Sequence, residues 1–222
     1  MSARRVLVVM AKAPRPSHVK TRLQPRISTD QAAALYRCFL EDTLALVGRL
    51  RGVRIAIMCP LDDRAAFERL IGPDIQVASQ TGDGLAAGLT SVFRDFAAAG
   101  FDRIVAFNAD SPHIPPAFLE SAFEALDSHE TVVGPTSDGG YYLVGATRAH
   151  PGLFGGDRLG SASALESLVA RLRTLSLTMA MLPPCYDVDD PDDLARLEAD
   201  LRVDPQRAPH TAALLARWRA RS

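Results

Sequence analysis

The sequence predicts an α/β fold with a mainly parallel but mixed sheet, arranged as a three-layer α/β/α sandwich. Three observations carry this. Short apolar runs rich in Val and Ile recur along the 222 residues, as in strands buried on both faces. Segments of helical periodicity alternate with them, the spacing of parallel strands joined by right-handed crossovers. The hydrophobic fraction of 47% supplies enough apolar material for a full core.

Taken in order, "RVLVVMA" (5–11) reads as a first buried strand, followed by a basic, Pro-punctuated loop from Lys12 to Ile27. Residues 28–50 have helical periodicity, with Ser28 or Thr29 as cap. "VRIAIMC" (53–59) is the next strand, 62–72 a helix ending at a Gly, and "IQVAS" (75–79) a third strand. Residues 82–100 form a helix with a Gly-rich start, and "RIVAFNA" (103–109) a fourth strand. A helix over 115–127 opens with proline in its first turn. Strands follow at 131–135 and 141–147, then a helix (163–173), a strand (175–182) and a helix (190–202). The whole of 1–222 reads as a single domain, with about 203–222 a C-terminal extension or helix.

A formal net charge of −1 argues against non-specific nucleic-acid binding, which needs a broad positive surface. Cys38, Cys59 and Cys185 lie far apart without CxxC spacing, so buried free thiols are expected for the first two and a structural zinc site is not. The N-terminal apolar run is too short for a signal peptide, and no stretch approaches the 18 apolar residues of a membrane span. A reduced, cytoplasmic protein is the expectation.

In such sheets ligands bind beyond the carboxyl ends of the strands. The loop after the first strand carries Lys12, Arg15, Lys20, Arg22 and Arg26 with no acid among them. An exposed, merely soluble loop accounts for this as well as convergence of the cations on a phosphate chain. The loop lacks GxxxxGK[ST], and no GxGxxG follows the strand, so P-loop phosphotransfer and Rossmann dinucleotide binding lose support. His18 reads as a surface residue rather than a base.

Asp110 directly follows the fourth strand. In "YDVDDPDDL" (186–194), Asp190 before Pro191 fits an N-cap, and Asp192 and Asp193 favour the first turn of a helix. Asp187 and Asp189 are left over, two residues apart and on the same side of an extended segment. Asp110 with Asp187 or Asp189 makes a hard-oxygen site suited to Mg²⁺ or Mn²⁺, although an Asx-turn also accounts for Asp110 alone. The "SDGG" turn of "GPTSDGGYYLVG" is a hairpin signal, while its paired glycines also admit close approach of a substrate. Asp138 is placed to accept bonds from an acceptor hydroxyl. The Gly/Ser loop "FGGDRLGSAS" (154–163) precedes a helix whose first N–H groups suit an anion.

"AKAPRPSHVKTRL", "FNADSPHIP", "GPTSDGGYYLVG" and "YDVDDPDDL" occur in this order, and together resemble the bacterial glycosyltransferase-like family DUF2064. That resemblance implies the nucleotide-diphospho-sugar transferase (GT-A-like) fold over about residues 5–200. More distantly, "KTRL", "FGGDRLGS" and "DVDDPDDL" are similar to 2-phospholactate guanylyltransferases. The resemblance implies that Lys20 and Arg22 face phosphates and makes Gln80 and Gly84 candidates for reading a base; the charge of the loop adds Lys12 and Arg15 as phosphate-binding candidates. It implies an acceptor pocket lined by Asp138, Gly139, Gly140, Tyr141 and Ser161, and a metal on Asp110 completed by Asp187. The chain departs from the family's pattern at Ser17 and at Asn108, both usually Gly, and at "GSAS" (160–163), where a Trp-Ser-Thr segment is usual.

The function expected is a Mg²⁺- or Mn²⁺-dependent transfer from a nucleotide-activated donor, with Lys20, Arg22 and Asp110 as the catalytic set. Nucleotidyl transfer from a nucleoside triphosphate leads, with glycosyl transfer from a nucleotide sugar as the alternative. A non-catalytic nucleotide-binding protein of the same fold and a hydrolase are further alternatives. The expected partners are a nucleotide and a small phosphorylated or hydroxyl acceptor; a homodimer is compatible.

Overall fold

β1 (Arg5–Met10) lies inside the sheet with parallel neighbours on both sides, β2 (Val53–Cys59) and β4 (Arg103–Asn108). The computed structural model describes residues 4–24, 26–155 and 163–220. Beyond β2, β3 (Gln76–Ser79) continues the parallel arrangement to one edge. On the other side β6 (Tyr141–Ala146) runs antiparallel to both β4 and β5 (Thr131–Pro135), and β7 (Met179–Met181) closes the sheet parallel to β5. The order is β3-β2-β1-β4-β6-β5-β7, as the mainly parallel, mixed expectation requires.

Alternation along the central strands explains why they read as continuous apolar runs. Leu7, Val9, Ile57, Val105 and Phe107 point to one face of the sheet, and Val6, Val8, Met58, Ile104 and Ala106 to the other. The first face is covered by α1 (Thr29–Val47), α4 (Pro116–Ala125), α6 (Pro191–Val203) and α7 (Pro209–Arg219), through Phe39, Phe123, Leu197 and Leu215. The second is covered by α3 (Gly84–Ala98) and α5 (Ala164–Thr174), through Val92, Phe96, Leu168 and Leu172. The three-layer arrangement is therefore complete.

The cap readings hold at atomic level. Ser28 caps α1 in a box with Gln31, and Asp190 caps α6 in a box with Asp193. α7 follows Ala208, which has no capping side chain. The buried Asp42 of α1 serves instead, accepting from His210 N, Thr211 N and Thr211 Oγ1 at 2.9, 2.9 and 2.7 Å.

Some boundaries move. The strand expected over 175–182 shortens to β7 because Leu177 N still bonds Leu172 O and Ser176 is left-handed (φ 54). The helix expected over 62–72 begins as a 3-10 turn, Leu61–Asp63, before α2 (Arg64–Leu70). The helix expected from 82 starts at Gly84, since Gly82 and Gly84 both have positive φ (83 and 82). All three thiols are free; Cys59 is buried, but Cys38, expected buried, is only half-buried. Among the described residues no helix is long and apolar enough to cross a membrane.

Candidate functional site

After β1 the chain moves outward to β2 and β3 with α1 on one face, then returns through α3 on the opposite face to enter β4. The carboxyl ends of β1 and β4 therefore diverge at the topological switch point, where such sheets form their crevice. A cleft of about 800 Å³ opens there, a size suited to a nucleotide and a small second substrate. Its lining comes from the ends of β1, β2 and β4, the start of β6, the basic loop and the segment that carries Asp187 and Asp189.

That last segment is steered into place by the sheet. After β7, Leu182 N and Cys185 N bond the carbonyls of Val133 and Pro135, and Ser137 N bonds Cys185 O. Val188 N then donates to Asp110 O at 3.0 Å, so Asp187 arrives beside the end of β4. Asp187 Oδ1 accepts from Ser111 Oγ at 2.5 Å and Asn108 Nδ2 at 2.8 Å. Burial and the charge of Asp110 push the Asp187 carboxyl up to about 6, against the pull of those two donors and Lys20.

The basic loop is fastened at two points. Asp63, buried, accepts from Ala13 N at 2.9 Å and pairs with the Arg15 guanidinium. Further on, Lys20 Nζ pairs with both Asp110 and Asp189, at 3.0 Å from the latter, with its side chain 4% exposed. Burial alone would lower the lysine pKa, but the two carboxylates outweigh it, and the ammonium is held above its ordinary value. The same ion pair overcomes the burial of Asp189 and lowers its carboxyl. Ser17 (φ 63) and Lys20 (φ 50) both sit in left-handed backbone, a conformation that favours glycine.

Of the expected phosphate cations, Lys12, Lys20 and Arg22 line the cleft, whereas Arg15 is turned to Asp63 and is not among the lining residues. Lys20 meets carboxylates in this structure. Gln80 and Gly84 also line the cleft; Gln80 Nε2 donates to Gly82 O at 2.9 Å and Gly84 O at 3.3 Å, which fixes the orientation of the amide. Asp138, Gly140 and Tyr141 line the opposite side. Asp138 Oδ1 accepts from Thr136 Oγ1 at 2.5 Å and Gly140 N at 3.1 Å, and a Cβ on Gly140 would lie 2.8 Å from Thr136 Oγ1. Gly139 instead turns the chain (φ 89) and gives its carbonyl to Leu165 N at the start of α5. Ser161 and most of the loop over 154–163 lie outside the described residues.

The cleft also holds residues to which the sequence assigned no role there. His18, read as a surface residue, is exposed but lines the cleft. Tyr36 of α1 places its buried hydroxyl under the end of β1, accepting from Lys12 N at 3.2 Å. No short motif marks Tyr36, because it reaches the site from a helix 24 residues away in sequence.

Asp110, Asp187 and Asp189 face a single ammonium, so the acids outnumber their counter-ion. Two carboxylates with oxygen to spare and an upward-shifted Asp187 fit a hard divalent cation that takes its remaining ligands from water and phosphate. Among the described residues no group of three or more acid, His or Cys side chains is arranged to hold a metal ion by itself, so water and phosphate would have to supply the other ligands.

The model of the family described as "Uncharacterized protein conserved in bacteria (DUF2064)" matches residues 43–161, more than half of the chain. The chain belongs to the DUF2064 family. A solved structure from Desulfovibrio desulfuricans G20, described as a nucleotide-diphospho-sugar transferase, superposes with a TM-score of 0.90 at 31% identity, covering 99% of this chain and 96% of its own. Rv0371c from Mycobacterium tuberculosis H37Rv, solved in complex with manganese, shares the fold at 20% identity and a TM-score of 0.52, over 88% of this chain and 98% of its own. The 2-phospho-L-lactate guanylyltransferase of Methanothermobacter thermautotrophicus is 25% identical over 124 residues, 56% of this chain and 54% of the relative. The chain thus spans about half the length of that curated relative. Relatives of this DUF2064 member are named transferases, and the chain stands with transferases of the nucleotide-diphospho-sugar transferase fold.

Proposed function

We propose that this DUF2064 protein is a divalent-metal-dependent nucleotidyltransferase. It would move a nucleotidyl group from a nucleoside triphosphate to a small phosphorylated or hydroxyl acceptor and release pyrophosphate. The observation that carries this reading is the meeting, in one switch-point cleft, of the Asp110–Asp187 pair with a loop bearing Lys12, Lys20 and Arg22. A pyrophosphate leaving group needs cations on its oxygens, and an ion that bridges phosphates needs hard carboxylate ligands. The guanylyltransferase and the manganese complex among its relatives support the same reading.

In this proposal Gln80 and Gly84 hold the base, Lys12 and Arg22 meet the phosphates, and Asp138, Gly140 and Tyr141 bound the acceptor. Lys20 is shared: it neutralises Asp110 and Asp189 in the free protein and lies within reach of the phosphate region. Asp110 and Asp187 would hold Mg²⁺ or Mn²⁺, which supplies charge neutralisation on the phosphates. An acceptor that is already an ionised phosphate needs no general base, and no histidine in the cleft is held by a carboxylate as an activated base would be.

Glycosyl transfer is the second reading, favoured by the nucleotide-diphospho-sugar transferase description of the 31%-identical relative. Thermal stabilisation against nucleoside triphosphates and nucleotide sugars, with and without Mg²⁺ or Mn²⁺, tests the donor. Triphosphates are expected to raise the melting point more with metal than without it. Pyrophosphate release with triphosphate and an acceptor panel then supports nucleotidyl transfer, while release of nucleoside diphosphate from nucleotide sugars supports the alternative. No shift with any nucleotide under any metal condition overturns both.

A further inference from the structure

Asn108 ends β4 and stands two residues before Asp110. Its side chain uses both ends. Nδ2 donates to Asp187 Oδ1 at 2.8 Å, and Oδ1 accepts from the backbone N–H of Asp110 at 3.2 Å. One amide therefore spans two acids that are 77 positions apart in sequence (187 less 110). The opposite polarity of its two bonds also fixes which way the amide faces.

Asp187 receives a second donor on the same oxygen, from Ser111 Oγ at 2.5 Å. Ser111 is fully buried. Among the described residues Asp187 Oδ2 accepts no hydrogen bond, although the residue lines the cleft. Both neutral donors on one oxygen and none on the other is an arrangement that orients a carboxylate rather than merely satisfying it. A carboxylate that only needed desolvation relieved would gain as much from one donor on each oxygen. Groups that hold a ligand's far side fix its direction before the ion arrives.

We propose that Asn108 is a positioning residue for the metal, locking the Asp187 carboxylate with Oδ1 turned away and Oδ2 free for the ion while tying it to the Asp110 backbone. This rests on the reading of Asp110 and Asp187 as metal ligands. Asn108 acts through Asp187.

The test is Mn²⁺ binding to the full-length protein without nucleotide, read from the free-Mn²⁺ signal in electron paramagnetic resonance, for wild type, Asn108→Ala and Asn108→Leu. Leu keeps the γ-branched shape of Asn with a somewhat larger volume, so it guards against a packing loss at the strand end. Melting points and nucleotide affinity are measured in parallel in metal-free buffer. Roughly tenfold weaker Mn²⁺ binding in both variants is expected, the usual cost of losing such a partner. Metal-free nucleotide affinity should stay within about twofold, since the amide is directed at Asp187 and not at the phosphate cations. Unchanged Mn²⁺ affinity in variants of a wild type that binds it overturns the role of Asn108 and leaves the metal site standing. An equal loss of metal-free nucleotide affinity shows Asn108 to be structural only and also overturns the proposal. A wild type that binds no Mn²⁺ removes the metal site and this inference with it.

Discussion

The ammonium of Lys20 lies 3.0 Å from the carboxylate of Asp189, joining two segments 169 residues apart. The same nitrogen pairs with Asp110, and the lysine side chain is 4% exposed while Asp110 and Asp189 keep 34% and 43% of theirs. The cation loop and the acid segment are thus one electrostatic unit in the free protein. The loop is fastened beside the ends of β1 and β4 by these charges.

Lys20→Met should show how far that unit stabilises the fold. The substitution keeps chain length and removes the charge, leaving Asp110, Asp187 and Asp189 without their shared counter-ion. Breaking a fully buried pair costs about 3–5 kcal/mol, but both carboxylates here are partly solvated, so roughly 1–2 kcal/mol is expected. Urea unfolding in metal-free buffer measures it. Mg²⁺ or Mn²⁺ should then restore more stability to the variant than it adds to the wild type. A variant as stable as the wild type without metal would remove Lys20 from this role.

Asp110→Ala should abolish metal-dependent turnover and spare the fold. The lost side chain is one-third exposed, and its departure takes away a charge that raises the Asp187 carboxyl. Lys20 also loses one of its two carboxylates but keeps Asp189, so the loss read by urea unfolding should be about 1 kcal/mol, less than for Lys20→Met. Turnover in the pyrophosphate assay should fall by roughly 10²–10³-fold or more, the scale of removing one preorganised electrostatic element. Activity at wild-type level in a folded Asp110→Ala protein is incompatible with the metal assignment.

Gly88→Ala probes the base side. A Cβ there would lie 2.7 Å from Met10 Cε and 2.8 Å from Gln80 Oε1. The methionine methyl can swing away, but Gln80 is tied by its amide nitrogen to the carbonyls of Gly82 and Gly84. Alanine also gains about 1 kcal/mol of helix propensity within α3, which offsets much of the crowding. Stability should change little, while displacement of Gln80 weakens nucleotide binding about tenfold, near 1.4 kcal/mol. Calorimetric titration with the preferred triphosphate reads this; unaltered affinity would take Gln80 out of the base subsite.

Much of this was legible in the sequence because it is governed by local rules. The two-faced apolar strands, the Ser28 and Asp190 caps and the leftover status of Asp187 and Asp189 follow from periodicity and capping chemistry. Asp187 and Asp189, which line the cleft, stand out by subtraction once capping claims Asp190, Asp192 and Asp193, while Asp110 stands out by its place after a strand. Partner choice was not legible. Arg15 and Lys20 look alike in a loop of cations, and only the fold puts Asp63 against the first and Asp110 with Asp189 against the second. Half of the Asn108 contacts follow a local rule, since Asp110 N two residues on bonds its Oδ1 as in an Asx-turn, but its other partner, Asp187, is 79 residues away and no spacing marks it.

Acid stability should depend on His113, which lies outside the cleft. The residue is fully buried, its ring packs on Tyr186 with centroids 4.1 Å apart, and its Nδ1 has no partner among the described residues. Nε2 meets only the weak acceptor Cys185 Sγ at 3.7 Å. Burial first, then the nearby positive charges of Arg207 and Arg196, lower its pKa from 6.5 to about 3, with Asp200 opposing them. The folded value lies below the unfolded one, so the proton prefers the unfolded chain. The associated stability is fully present above pH 6.5 and is lost progressively as the pH falls toward 3. By linkage the loss reaches about 2 kcal/mol at pH 5, relative to neutral pH. His113→Phe keeps a ring against Tyr186 and removes the titration. Urea unfolding of both proteins from pH 7 to pH 4 should show a steeper decline for the wild type, with the gap opening below pH 6.5; parallel curves would mean that His113 is protonated inside the fold without penalty.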